Sequence, residues 1–177
     1  TISRGLFVIG PLNSFDSWIT EYERVFGNKL PLSYVTGPEL RKMGNTIEYH
    51  VRFDLGKYNL ILLNYESFDH NQELTNAVQN RIDDKTMLVF DEVHRIKAVN
   101  GKRAMGVMPI SKNSKYTMVM TGTPIPNNHS DVYNFLQILY GPDYDDYFIL
   151  GPRDLTELEG QDLSDFNKKL QPFYCRT

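Results

Sequence analysis

The 177-residue sequence contains one cysteine, Cys175. It can therefore form no internal disulfide, no cysteine zinc cluster and no CxxC redox pair. Cys175 is read as a small packing residue, and the expected setting is reducing and intracellular. No apolar run approaches the ~18–20 residues that span a bilayer, and Thr1-Ile2-Ser3-Arg4-Gly5 has no cleavage-site pattern. No membrane partner is expected. Repeats and low-complexity tracts are absent as well. The formal net charge of -3 argues against coating nucleic acid by bulk attraction, although a local basic surface depends on where charges lie rather than on their sum. His50, His70 and His129 have no metal-ligand spacing and read as surface or hydrogen-bonding residues. Also missing is the phosphate-gripping Gly-x-x-x-x-Gly-Lys-Ser/Thr. Gly56-Lys57 is followed by Tyr58 and Gly101-Lys102 by Arg103, and neither has a glycine five residues earlier.

What remains is the composition of an ordinary globular protein, 41% hydrophobic and 23% charged. The length suits a single domain. Short apolar runs at 6–9, 32–35, 60–63, 87–90 and 116–120 read as buried strands. Continuous rather than alternating apolar character predicts a parallel sheet covered on both faces. Helical stripes lie between them: Trp18, Ile19, Tyr22, Val25 and Phe26, with Asn13 or Ser14 as cap; Leu74, Ala77, Val78 and Ile82; and Val132, Phe135, Leu136 and Leu139, opened by Ser130 or Asp131. Trp18 reads as core rather than as a stacking platform. Residues 97–115 read as loop plus a short helix, and residues 141–160 as an irregular excursion from the sheet. Strand and helix alternate, so the fold class is α/β.

Two strand ends carry chemistry. The run 87–90 ends directly in Asp91 and Glu92, and ligand sites in open α/β sheets lie beyond the carboxyl ends of the strands. Mg²⁺ takes hard oxygen ligands, often one carboxylate together with water and substrate phosphates. Asp91 suits the metal side, through water, and Glu92 the water side. The plainer alternative is a solvated pair in a turn. The run 116–120 ends in Thr121-Gly122-Thr123-Pro124, where two hydroxyls can bond nearby carboxylates or backbone and glycine permits close approach. Pro124 and Pro126 stiffen the chain beyond it. Its alternative is a simple strand-to-helix turn.

In order and spacing these segments resemble the Swi/Snf-like branch of superfamily 2 helicases and translocases. Asp91-Glu92-Val93-His94-Arg95-Ile96-Lys97 looks like motif II of the DEAH type, with Val93 in place of the usual alanine. Thr121-Gly122-Thr123-Pro124, with Asn127-Asn128 and the helix at 131–139, resembles motif III. Pro11, Ser14, Trp18 and Glu21 resemble motif Ia, and Asn64-Tyr65-Glu66-Ser67 resembles motif Ib. Leu170-Gln171-Pro172-Phe173-Tyr174-Cys175-Arg176 resembles the end of the first lobe.

The resemblance implies a RecA-like P-loop NTPase lobe, truncated at its N-terminal strand, with residues 1–177 as a partial first lobe and no second domain. It implies ATP and Mg²⁺ as cofactors, with Asp91 holding the metal and Glu92 activating the attacking water. His94, Thr121, Gly122 and Thr123 would couple hydrolysis to movement. Pro11, Ser14, Asn64, Tyr65 and Lys97 would hold the backbone of double-stranded DNA. The expected protein is a longer ATP-driven DNA translocase. A P-loop segment and a second RecA-like lobe of the same parent would be the missing partners, and the fragment alone would be inactive. The expected location is cytoplasmic for a bacterial or phage host and nuclear for a eukaryotic one. Two other readings stand beside it: a non-catalytic scaffold derived from such a lobe, and a metal-dependent nuclease, which lacks a further acidic cluster.

Overall fold

The computed structural model describes residues 5–27, 29, 31–42, 58–69, 71–123 and 129–170. Cys175, His50, His70, Gly56-Lys57, the stretch Pro124–Asn128 and the expected lobe end from Gln171 onward lie outside the described residues.

Five strands form one sheet: β1 (Gly5–Gly10), β2 (Tyr34–Thr36), β3 (Leu60–Asn64), β4 (Thr86–Phe90) and β5 (Tyr116–Val119), in the order β2-β3-β1-β4-β5. Every pairing is parallel. The apolar runs at 6–9, 60–63 and 87–90 fall inside strands β1, β3 and β4, and that at 116–120 reaches one residue past β5. The run at 32–35 is displaced, with β2 starting at Tyr34. The cause is Asn59, whose side chain accepts from Ser33 N–H (2.9 Å) and donates to the Pro31 carbonyl (2.8 Å). Those groups are satisfied by an amide rather than by a neighbouring strand.

Alternate residues feed two cores. Val8, Leu60, Leu62 and Val89 face α1 (Phe15–Phe26) and meet its Phe15 and Tyr22. Phe7, Ile9, Ile61, Leu63, Leu88 and Phe90 face the other way. There they pack on α3 (Gln72–Arg81), α4 (Lys102–Ser111) and α5 (Tyr133–Tyr140), the short α2 (Gly37–Lys42) following β2. Helices thus cover both faces, as a parallel sheet requires. The α1 stripe extends less far than its spacing suggests, because Val25 and Phe26 are 57% and 39% exposed. In α5 Phe135 and Leu136 are buried as expected, but Ile138 joins them in place of Leu139, which is 37% exposed.

Capping also departs from expectation. Ser14 is the N-cap residue of α1, one of the two expected, but its hydroxyl donates to the Pro11 carbonyl (2.9 Å) and makes no hydrogen bond to the helix end. Val132 is the cap of α5, after a 3-10 turn at His129–Val132. Asn71 caps α3 in the usual way, accepting from Leu74 N–H at 3.1 Å.

The stretch 141–160, expected to be irregular, holds α6 (Tyr144–Tyr147) and α7 (Pro152–Thr156), and α8 (Gly160–Leu170) follows it. Their glycines and prolines start helices instead of breaking them, with Pro152 in the first turn of α7. Tyr144, Phe148, Leu155 and Phe166 are buried in the larger core.

The helix in 97–115 is α4, ten residues long. It rests on the turn after β3, and a Cβ on Gly106 would lie 2.8 Å from the Phe68 carbonyl oxygen and 2.9 Å from Phe68 Cβ. Gly106→Ala is therefore expected to destabilise the protein by about 1–3 kcal/mol through overpacking, despite alanine's advantage of roughly 1 kcal/mol in a helix. Urea unfolding checks it, and an unchanged or higher midpoint would contradict so close a contact.

Candidate functional site

The carboxyl ends of β1, β4 and β5 are clamped together. Asp91 N–H donates to the Ile9 carbonyl (2.8 Å), Met120 N–H to the Phe90 carbonyl (2.8 Å) and Val93 N–H to the Met120 carbonyl (2.9 Å). Between them the chain turns sharply at Glu92, which has φ 51° and ψ 49°. A left-handed conformation is costly for a residue with a Cβ and concentrates at sites where function demands it.

Asp91 follows Phe90, so the alternation of β4 carries its side chain to the α1 side. Trp18 Nε1–H donates to Asp91 Oδ2 at 3.0 Å. The Tyr65 hydroxyl donates to the Asp91 carbonyl at 2.8 Å. Gly10 closes the third side, since a Cβ there would lie 3.0 Å from Asp91 Cβ. Asp91 is thus held by three different elements.

Glu92 belongs to a second cluster. Its Oε2 lies 3.1 Å from His94 Nδ1 and 3.5 Å from Thr121 Oγ1, which is itself 2.9 Å from His94 Nδ1. A proton on Nδ1 opposes no lone pairs: it faces the carboxylate, and the Thr121 hydroxyl then donates to Glu92. Thr123 N–H donates to Thr121 Oγ1 at 3.2 Å, and Thr123 Oγ1 lies 3.5 Å from His94 Nδ1. Residues from the ends of β4 and β5 therefore meet through one imidazole. Gly122 is exposed, and a Cβ there would meet nothing within 4 Å.

The residues expected on DNA fare differently. Ser14 is half-buried. Pro11 is buried, Asn64 is 2% exposed and Tyr65 is 0% exposed. Those three are buried and present little outer surface. Asn64 Oδ1 accepts from the Ser67 hydroxyl (2.6 Å), and its amide donates to Glu66 (3.2 Å). Lys97 Nζ lies 3.6 Å from Asp131, whose side chain is 10% exposed.

Three features escape a reading of the sequence. Trp18 is more than core. Asn134, 1% exposed, donates to the carbonyls of Ile96 and Ala98 and so fastens the segment after Glu92 to α5. Glu66 accepts Arg95 (3.2 Å) and Arg103 (3.3 Å), joining the turns after β3 and β4 to α4. Burial works to raise the Glu66 carboxyl. Its own backbone hydrogen bond, the Asn64 amide, Arg103 and Arg95 outweigh that and hold it below its ordinary value.

Among the described residues no three His, Cys, Asp or Glu side chains group to hold a metal. Asp91 and Glu92 are partly exposed at a strand end, which fits a hard cation that arrives with its own phosphate and water ligands. No helix among the described residues is long and apolar enough to cross a membrane. Charge is unevenly spread. Residues 143–165 hold eight carboxylates against Arg153 alone, leaving the rest of the chain net positive within a total of -3.

The SNF2-related domain model matches residues 2–173. The chain is 26% identical over 132 residues to the SWI/SNF chromatin-remodeling complex subunit snf22 of Schizosaccharomyces pombe, covering 75% of this chain and 7% of that protein. It is 26% identical over 179 residues to the ISWI chromatin-remodeling complex ATPase CHR11 of Arabidopsis thaliana, covering 96% of this chain and 15% of that protein. It therefore spans only a small part of the length of these relatives. In structure it is similar to the Sulfolobus solfataricus SWI2/SNF2 ATPase core in complex with dsDNA, with TM-score 0.69 and 22% identity, over 98% of this chain and 34% of that one. The likeness gives the parallel sheet and its helices a RecA-like fold. With the family model spanning nearly all of the sequence, the chain belongs to the SNF2-related domain family.

Proposed function

We propose that residues 1–177 are part of the first lobe of an ATP-driven motor that moves along double-stranded DNA. The observation that carries this reading is the joined pair of clusters at the strand ends: Asp91 fixed by Trp18 and Gly10, and Glu92 linked through His94 to Thr121. Bound ATP with Mg²⁺ would supply the phosphoryl group and the charge that neutralises it. Asp91 holds the metal side through water. Glu92 orients the attacking water and accepts its proton, while His94 keeps the carboxylate turned toward it. Because Thr121 and Thr123 hydrogen-bond into the same imidazole, a change at Glu92 reaches the end of β5, and coupling to movement starts there.

No phosphate loop occurs in this sequence. We infer that it comes from chain outside these residues and adds a strand to β5. Among the described residues β5 is paired only with β4. Met118 lies opposite Val89 on the α1 face yet remains 44% exposed, and Met120 is 40% exposed. An open edge beside an uncovered apolar strip is a template for another strand. By itself the chain should bind ATP poorly and hydrolyse it negligibly.

Duplex DNA, named for the structural relative, is the proposed track, held through its phosphates without reading sequence. Ser14 and the first turn of α1 form its contact, with Lys97 serving it alongside Asp131. Pro11, Asn64 and Tyr65 act as supports. The two chromatin-remodelling relatives named above come from a fission yeast and a plant, so the proposed setting is a nucleus. They lend nothing to a bacterial or phage origin.

ATP turnover by the full-length protein, with and without duplex DNA, tests the reading. DNA-stimulated turnover is expected from the full-length protein and none from the 177-residue chain. A well-folded full-length protein with no turnover would favour the scaffold instead.

A further inference from the structure

Trp18 is the one tryptophan of the sequence, and its indole is spent on an unusual partner for a helix packed against a sheet. The ring is partly buried against the core of Val8, Phe15, Tyr22, Leu60, Leu62 and Val89. Its N–H reaches across 73 residues to Asp91 Oδ2. We propose that Trp18 is a positioning residue, tying the DNA-side start of α1 to the metal-side carboxylate so that DNA contact changes how Asp91 serves Mg²⁺. This rests on the proposed role of Asp91 on the metal side.

The contact path is short and closed. A Cβ on Gly10 would meet Asp91 Cβ at 3.0 Å, Ser14 Oγ at 3.3 Å and Asp91 Oδ2 at 3.4 Å. Ser14, Gly10, Trp18 and Asp91 are therefore one packed group rather than neighbours on a surface. Trp18 donates to Oδ2, and the space on the Gly10 side is too narrow for an unstrained Cβ, so the carboxylate is held from both directions. Ser14 lies one helical turn from Trp18, and its hydroxyl is already tied to Pro11. A phosphate that shifts the first turn of α1 therefore shifts the indole N–H, and Asp91 with it. A tryptophan present only for bulk would not require its N–H, and phenylalanine would serve as well.

Trp18→Phe in the full-length protein separates the two. It keeps an aromatic ring in the core and removes only the donor. Hydrogen bonds to charged groups carry enough energy that the Mg²⁺ concentration for half-maximal turnover is expected to rise about five- to tenfold. Turnover at saturating Mg²⁺ should change little, and DNA should no longer move the Mg²⁺ midpoint. A role in packing alone would lower the melting temperature and leave that midpoint unmoved.

A second readout needs no turnover. In protein labelled with 5-fluorotryptophan, the fluorine resonance that Trp18→Phe removes belongs to Trp18. It is expected to broaden when Mn²⁺ and ADP are added. An unchanged Mg²⁺ midpoint in an active Trp18→Phe protein overturns the inference and leaves the motor reading standing, whereas an unbroadened resonance at saturating Mn²⁺ overturns it together with the metal-side role of Asp91. A wild type without DNA-stimulated turnover overturns the motor reading and this inference together.

Discussion

Replacing Glu92 by Gln in the full-length protein is expected to lower DNA-stimulated ATP turnover by about 10²- to 10⁴-fold, the range that a positioned general base contributes. The substitution is close to isosteric. It keeps the side chain that bridges toward His94 and Thr121, so it should leave folding and ATP affinity nearly unchanged. What it removes is the capacity to take a proton and the charge opposite His94 Nδ1, 3.1 Å away. Steady-state turnover with and without duplex DNA measures the loss. A residual rate within a few-fold of wild type would move the base elsewhere, and among the described residues no other carboxylate joins the His94–Thr121 cluster.

The backbone of Glu92 adds a second arm to that test. At φ 51° a glutamate sits where glycine would be at ease. Glu92→Gly should lower turnover at least as far as Gln does, yet leave the protein equally stable or more stable by up to about 1 kcal/mol. A side chain that costs stability where it stands is held for its chemistry. A scaffold has no reason to keep it. If Glu92→Gly instead lowered stability by more than about 1 kcal/mol, the carboxylate would be part of the structure's own support.

Much of this was legible in the sequence, because the sheet is parallel and covered. Leu60-Ile61-Leu62-Leu63 reads as a continuous apolar strand since odd and even residues both enter a core, one on each face. The same reasoning puts Asp91 and Glu92 at a strand's carboxyl end. It does not give side-chain direction in the turns beyond the strands. The resemblance puts Asn64 and Tyr65 on the DNA backbone, but Asn64 closes β3 and Tyr65 opens the 3-10 turn at Tyr65–Phe68, and both side chains are buried. The resemblance puts Lys97 on DNA, and its ion pair with Asp131 is hidden because the two are far apart along the chain. The helices within 141–170 are hidden for another reason. Tyr144, Phe148, Leu155 and Phe166 share a core but come from separate short segments, so no single helical period joins them. Gly and Pro at the helix starts then mimic a loop.

Tyr65 is where that burial has the largest consequence for stability. It is among the largest side chains with no solvent exposure, and its hydroxyl donates to the carbonyl of Asp91. Burial, then the nearby Asp91 carboxylate, push the phenol far above its ordinary value, Arg95 opposing only in part. It therefore remains a protonated donor at any pH at which the protein works. Tyr65→Ala is expected to cost about 3–5 kcal/mol, the range for emptying a buried aromatic site. Against a typical total of about 5–15 kcal/mol, that removes much of the fold's margin. Tyr65→Phe leaves the cavity filled and orphans only the Asp91 carbonyl, at about 1–1.5 kcal/mol. Urea unfolding measures both. If Tyr65 supports the site from beneath, the Phe variant keeps the duplex affinity of the full-length protein and shows only the small stability loss. A clear drop in duplex affinity with stability intact would instead mean that the turn opens and the hydroxyl reaches the DNA backbone.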